Sequence, residues 1–299
     1  MTKLRYRAPE DGFLKLDADE AGDPAAARAV IIPFGLEASV SYGAGTARGP
    51  EAIIAASPQL EFFDEELWCE PYRRFGIATL EAPPIANGLP AALAQLESIV
   101  DAVLAEGKLP LTLGGEHALT AGAIRPFARR HPGLVVLQFD AHSDLRDGYQ
   151  GEHYSHAAAM RRVLDHPGVS LVSVGIRATD ISEVPFIEAN PERVTIHWAK
   201  DRRRWDPEAI AASLRGRPVY VTFDVDGFDA SLMPATGTPV PGGFFFDEAC
   251  DILRAVAEAG TIVGADIVEL APIAGLHACD FTAAKLAYKL LAYALIAKR

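Results

Sequence analysis

Short, nearly uninterrupted apolar runs alternate along the chain with longer stretches whose apolar positions recur at helical spacing. The runs Ala29–Phe34 (AVIIPF), Leu109–Leu113, Leu134–Phe139 (LVVLQF), Ser170–Ile176, Val219–Val225 and Thr261–Val268 have the length and continuity of strands buried on both faces. Arg74–Leu80 and Val194–Trp198 read as two further short strands. The spacing predicts helices over Leu89–Glu106, Ala118–Arg130, His153–Leu164, Pro207–Leu214, Phe246–Ala259 and Phe281–Lys298. Another follows the Gly-rich loop of SYGAGTARGPEAIIAAS, with Pro50 in its first turn. Strand and helix in alternation predict a three-layer α-β-α sandwich, a mostly parallel sheet of about eight strands covered by helices on both faces. No repeat, low-complexity tract or long linker divides the chain, so residues 1–299 are expected to form one domain, with residues 1–28 as a polar lead-in.

In such sheets ligands bind beyond the carboxyl ends of the strands. Three predicted strand ends carry acids and imidazoles. LTLGGEH presents His117 after two glycines that allow close backbone approach. Leu134–Asp147 (LVVLQFDAHSDLRD) ends in Asp140, His142 and Asp144. At about 3.3 Å per residue and with side chains alternating between faces, these three side chains are expected to point the same way. VYVTFDVDGFD gives Asp224 and Asp226, again two apart, whereas Asp229 reads as a turn residue. An acid after a strand is ordinarily a cap, and a lone histidine ordinarily a core residue. Three strand ends delivering such sets make coincidence a poor account. Buried carboxylates and imidazoles need compensation, and a divalent metal supplies it.

The ligand count narrows the site. Asp140, Asp144, Asp224, Asp226, His117 and His142 are too many for one first-row ion with an open position. With some carboxylates bridging, they suit two ions about 3.5–4 Å apart. Oxygen-rich, thiolate-free ligation favours Mn²⁺ and leaves Ni²⁺, Co²⁺ and Zn²⁺ open. With two ions, a bridging hydroxide and Glu269 at the end of VGADIVEL, the pocket would carry about −2 and suit a cationic substrate.

Composition adds exclusions. Of 299 residues, 49% are hydrophobic and 23% charged, ordinary for a globular chain. A net charge of −12 and a pI of about 5.1 make nucleic acid and anionic membrane poor partners. Cys69, Cys250 and Cys279 are scattered without CxxC spacing, which predicts a reducing compartment rather than a disulfide framework. The N-terminus lacks an apolar signal region, and the apolar C-terminal segment contains Lys285 and Lys289. Cytoplasmic localisation without membrane attachment is the expectation.

GGEH, FDAHSD and TFDVDGFDASLMPATGTPVPGG resemble the three signature blocks of the ureohydrolases, the arginase–agmatinase family. SYGAGTARGPEAIIAAS, RDGYQGEHYSHAAAMRR and GADIVELAP extend the resemblance from about Val30 to the C-terminus. The GTARGPEAI loop and the LRD…YSHA segment look most like bacterial and archaeal agmatinases. The resemblance implies an arginase-like fold and two Mn²⁺ per subunit. One ion would be held by His117, Asp140, Asp144 and Asp224, the other by Asp140, His142, Asp224 and Asp226, with Asp140 and Asp224 bridging. It further implies that hydroxide between the ions attacks the guanidinium carbon of agmatine, giving urea and putrescine. Asp144 would accept the hydroxide's hydrogen bond, Glu269 would bind the guanidinium, and His156 would shuttle a proton to the leaving amine. His153 shares a helix face with His156 if that segment is helical, and the YSHA match selects His156. Glu116 replaces the more frequent aspartate of GGDH and is expected behind the metal ligand, where a longer acid would tune affinity. The family's usual trimers or hexamers imply a homo-oligomer.

The same chemistry on guanidinobutyrate, guanidinopropionate, arginine or guanidine is the nearest alternative, since specificity lies in loops at about 35–45 and 146–155. A silent regulatory paralogue would be marked by loss of a metal ligand, and all six are present. Phosphoester hydrolysis conflicts with a net-negative pocket, which repels phosphate, and no Arg/Lys clamp accompanies the motifs. GAGTARG lacks P-loop spacing. DRRRWD at 201–206 reads as a solvated loop, and the FFF run at 244–246 as packing at a helix start. Arg177 is left open between pocket and interface.

Overall fold

Eight strands alternate with helices: β1 (Ala29–Phe34), β2 (Ile77–Thr79), β3 (Leu109–Gly114), β4 (Val135–Phe139), β5 (Ser170–Val174), β6 (Val194–His197), β7 (Pro218–Asp224) and β8 (Thr261–Val268). A computed structural model describes residues 2–296 and places the strands in one sheet of order β2-β1-β3-β8-β7-β4-β5-β6. Every neighbouring pair is parallel, so the sheet is parallel throughout rather than mostly.

Strand residues alternate between two apolar layers, as a sheet covered on both faces requires. Ile31, Leu111, Leu137 and Val221 face the layer formed by helices Gly49–Ala56, Pro207–Ala212, Phe246–Ala259 and His277–Ile296. Val30, Ile32, Val136 and Tyr220 face the layer of helices Leu89–Ala105, Thr120–Arg130 and Ala159–Val163. The run at 244–246 packs as expected at a helix start: Phe244 sits among Phe139, Phe223 and Phe228, and Phe246 stacks on Phe228. No helix among the described residues is long and apolar enough to cross a membrane.

Three boundaries differ from the sequence expectation by three residues or more. Tyr72–Phe75 is a short helix ended by Gly76 at φ 66°, so the strand expected from Arg74 begins only at Ile77. The helix expected over His153–Leu164 starts later, as a 3₁₀ turn at His156–Ala158 followed by Ala159–Val163. Ser155 caps that turn by accepting from the Ala157 N–H, which leaves His153 outside it. The last helix begins at His277 rather than Phe281, and its predicted end at Lys298 lies outside the described residues.

The order of the strands positions the site. The chain passes from β3 to β4 without pairing them, and the later strands β8 and β7 fill the gap. The carboxyl ends of β3, β8, β7 and β4 therefore stand side by side at the sheet's topological switch, where this architecture opens a crevice.

Candidate metal centre

His117 follows the turn that closes β3. Gly115 is obligatory there, because a Cβ would stand 1.9 Å from the Leu36 carbonyl oxygen. The turn holds the His117 ring at 1% exposure. Its Nε2 lies 2.8 Å from Thr222 Oγ1, and that hydroxyl donates its proton to Asp266 at 2.6 Å. Nε2 must therefore carry a hydrogen, so that loss of a proton from the ring leaves the lone pair on Nδ1. Nδ1 has no hydrogen-bond partner although buried, and stands 3.0 Å from Asp144 Oδ2, 3.2 Å from Asp140 Oδ2 and 3.4 Å from Asp224 Oδ2. A lone pair facing three carboxylates is stable only around a cation, whether proton or metal. The donor set fits a metal.

The acids of β4 converge for a different reason from the one expected. The strand stops at Phe139, and residues 140–144 form a loop in which Asp144 takes φ 52°. Simple alternation does not align them. Asp140 instead folds the loop around itself: Oδ1 accepts from the His142 N–H at 2.6 Å and Oδ2 from Gln138 Nε2 at 2.8 Å. Asp226 likewise lies on a 3₁₀ turn after β7, its N–H donating to Asp224 Oδ1 at 2.8 Å and its own Oδ1 accepting from the Ala141 N–H at 3.0 Å. His142 Nδ1 lies 2.9 Å from Asp226 Oδ2. Two groups result, His117–Asp140–Asp224 and Asp140–His142–Asp226, each with ligand atoms within 4.8 Å of one another. Asp140 belongs to both.

The electrostatics follow from this crowding. Burial alone would lower the pKa of both histidines, but the carboxylates outweigh it: His117 is held well above its ordinary value, and His142 is raised to about 12. Burial and the neighbouring Asp140 push Asp144 up to about 7. Burial, then repulsion from Asp226 and Asp140, raises Asp224 well above the carboxylate range. Glu269 follows β8 at φ 67°, accepts from the His117 N–H at 2.6 Å, and is raised to about 8 chiefly by burial.

His142, Asp144, Asp224 and Asp226 line a cavity of about 330 Å³ together with His156 and Glu269, while His117 and Asp140 are buried and do not line it. Residues 40–43 of the Gly-rich loop, and Arg146 and Tyr149 of the second expected specificity loop, complete its walls. His153 turns away, exposed, against Arg162. Burial, then the proximity of His117, lowers the pKa of His156. Glu116 is completely buried, but its carboxylate does not back His117; it accepts from the N–H groups of Ala38 and Ser39 and from Ser39 Oγ. Arg177 braces the Asp226 turn, donating to the carbonyls of Asp226, Gly227 and Phe228. Asp229 is the turn residue expected, accepting from Ser231, Gly242 and Gly243, with its pKa lowered to about 2 by the Ser231 hydroxyl and these N–H groups.

Sequence reasoning missed the supports. Buried Glu183 accepts from Ser143 Oγ and from the N–H groups of Leu145 and Asp180, pinning the loop that carries Asp144. Asp266 also accepts from Tyr220 and Thr120. Its signal was present: an acid within the apolar run TIVGADIV needs partners.

Fold and site together define a ureohydrolase, a hydrolase of C–N bonds. The chain belongs to the arginase family, whose sequence profile matches residues 27–293. It is 37% identical to the N(1)-aminopropylagmatine ureohydrolase of a Synechocystis species, over 93% of this chain and 92% of that one. It is 34% identical to the agmatinase of Bacillus anthracis over 82% of this chain and 83% of that one. The solved proclavaminate amidino hydrolase of Streptomyces clavuligerus superposes with a TM-score of 0.85 at 26% identity, covering 95% of this chain and 97% of that one.

Proposed function

We propose that the chain is a two-metal amidinohydrolase that cleaves a guanidino C–N bond of agmatine with water, yielding urea and putrescine. The observation that carries this reading is the buried, partnerless Nδ1 of His117 facing Asp140, Asp144 and Asp224, with Asp140 shared by a second His/Asp group. His117, Asp140, Asp144 and Asp224 would hold one Mn²⁺, and Asp140, His142, Asp224 and Asp226 the other. Bound there, the ions supply a water of lowered pKa as nucleophile at neutral pH. Glu269, whose ionised form bound cations would favour, receives the planar guanidinium through charge-assisted hydrogen bonds and fixes the reacting carbon beside the cluster. His156 delivers the proton that the leaving amine needs. Asp180, paired with Arg146 at 3.1 Å on the cavity wall, offers a carboxylate to a cationic tail. We further propose a homo-oligomer, a trimer or hexamer.

N(1)-aminopropylagmatine is a second substrate reading, favoured by the 37% identity to the Synechocystis ureohydrolase over nearly the whole chain. Urea release by the Mn²⁺-loaded protein from agmatine, N(1)-aminopropylagmatine, arginine, guanidinobutyrate, guanidinopropionate and guanidine decides among them. The reading requires the highest kcat/KM for agmatine. A preference for the aminopropyl compound keeps the chemistry and changes the substrate, and a preference for a guanidino acid refutes the cationic-tail assignment.

A further inference from the structure

Ser39 lies just ahead of the Gly-rich loop, far in sequence from both groups that it joins. Its Oγ donates to Glu116 Oε1 at 3.0 Å, accepts from the His156 N–H at 3.0 Å, and stands 3.2 Å from His156 Nδ1. A serine hydroxyl has one proton and two lone pairs. The proton goes to Glu116, whose other oxygen accepts from the N–H groups of Ala38 and Ser39 at 2.9 and 2.6 Å. One lone pair takes the His156 N–H. The contact with Nδ1 is then satisfied only if the ring nitrogen is the donor. With Glu116 ionised, the form its two backbone N–H donors favour, the hydroxyl's inventory of donors and acceptors leaves a single arrangement.

From this geometry we infer that Glu116 and Ser39 are positioning residues that hold His156 as its Nδ1–H tautomer, leaving Nε2 as the nitrogen that exchanges a proton in the cavity. The inference rests on the proposed shuttle role of His156 and assigns how that role is set up. In the opposite tautomer, Nδ1 would be the titrating nitrogen, and Nδ1 is occupied by Ser39. Glu116 is buried at the end of β3, next in sequence to His117. The relay therefore ties the shuttle to the same strand end that presents the ligand cluster. It also fixes the backbone of the loop whose residues 40–43 wall the cavity.

The test begins without turnover. An imidazole ¹⁵N–¹H correlation spectrum of the full chain loaded with diamagnetic Zn²⁺ reports the His156 tautomer, the resonance being assigned by its loss in His156→Asn. Nδ1–H is expected in the wild type and Nε2–H in Ser39→Ala. With Mn²⁺ loaded, Ser39→Ala should lower kcat about tenfold or more, within the range of a misplaced general acid. Its KM should stay within about twofold, because the binding groups are untouched, and Ser39→Thr should restore most of kcat. Glu116→Gln offers Ser39 an amide donor, turns the hydroxyl toward Nδ1, and should also give the Nε2–H tautomer. A wild-type Nε2–H signal overturns the inference whatever the variants do. So does a Ser39→Ala protein with unchanged kcat, or one whose losses appear only in KM. Failure of the amidinohydrolase reading would show separately, as wild type with the Nδ1–H tautomer and no urea from any guanidino compound.

Discussion

At the scale of the residue, Asp140 is the point on which the site turns. It is fully buried, belongs to both ligand groups, and spends each oxygen on a contact that shapes its own loop. Asp140→Ala should therefore bind at most one Mn²⁺ per chain by elemental analysis and lose urea release by roughly 10³-fold or more. Two ions retained at full activity would contradict the shared-ligand assignment. Protons occupy the cluster in the metal-free chain, since His117 is held well above its ordinary value and His142 is raised to about 12. Metal uptake at pH 8 should accordingly release protons from both rings, and affinity should rise with pH because fewer protons then compete. Calorimetry in buffers of different ionisation enthalpy measures the release, and a zero count would refute the pairing. The identities of these residues were legible because acids and histidines gathered at strand ends. Their route together was not, because alternation along β4 ends at Phe139 and local backbone hydrogen bonds take over. Ser39 and Glu183 were illegible for a plainer reason: each acts on a partner distant in sequence, and neither residue type is unusual in a loop.

At the scale of the element, the apolar runs revealed the strands because seven of the eight are buried along nearly all their length and must be apolar there, while the edge strand β6 is only partly buried and showed as a short run. The weakest reading was at Arg74, where Tyr72–Phe75 makes one helical turn too short to show a period. The last helix shows how a nearly all-apolar element still carries a specific charge. Lys289 is 2% exposed and lies 2.9 Å from both Asp64 Oδ2 and Glu66 Oε1, fastening that helix to residues 64–66. Lys289→Met should destabilise the fold by about 3 kcal/mol in denaturant titration, because it strands the fully buried Asp64 carboxylate. The pH dependence has a definite sign. Burial alone would raise the Glu66 pKa, but hydrogen bonds from Lys289 and Arg254 bring it below its ordinary 4.5. Stability from a lowered carboxyl pKa is fully present above the unfolded value and drains as pH falls through the folded one. The wild type should thus lose stability below about pH 4.5, and Lys289→Met should lose less over the same interval. Parallel pH curves for the two proteins would refute the clamp.

At the scale of the whole molecule, the insertion of β8 and β7 between β3 and β4 turns sequence segments more than a hundred residues apart into one crevice. Strand order of this kind is invisible to periodicity, which finds strands and not neighbours. The ligand-bearing strand ends were nonetheless recognisable, because each had to carry its share of the site. The molecule's charge of −12 favours a cationic substrate, and on the cavity wall, where Arg146 offsets Asp180, Glu269 is the carboxylate placed to meet it. The most direct test of the two-metal reading is to titrate metal-free protein with Mn²⁺ while recording bound metal and urea release from agmatine on the same samples. Activity is predicted to reach its plateau at two ions per chain and to vanish when chelation removes them. Two ions bound at saturation with no urea from agmatine or any other guanidino compound would contradict it.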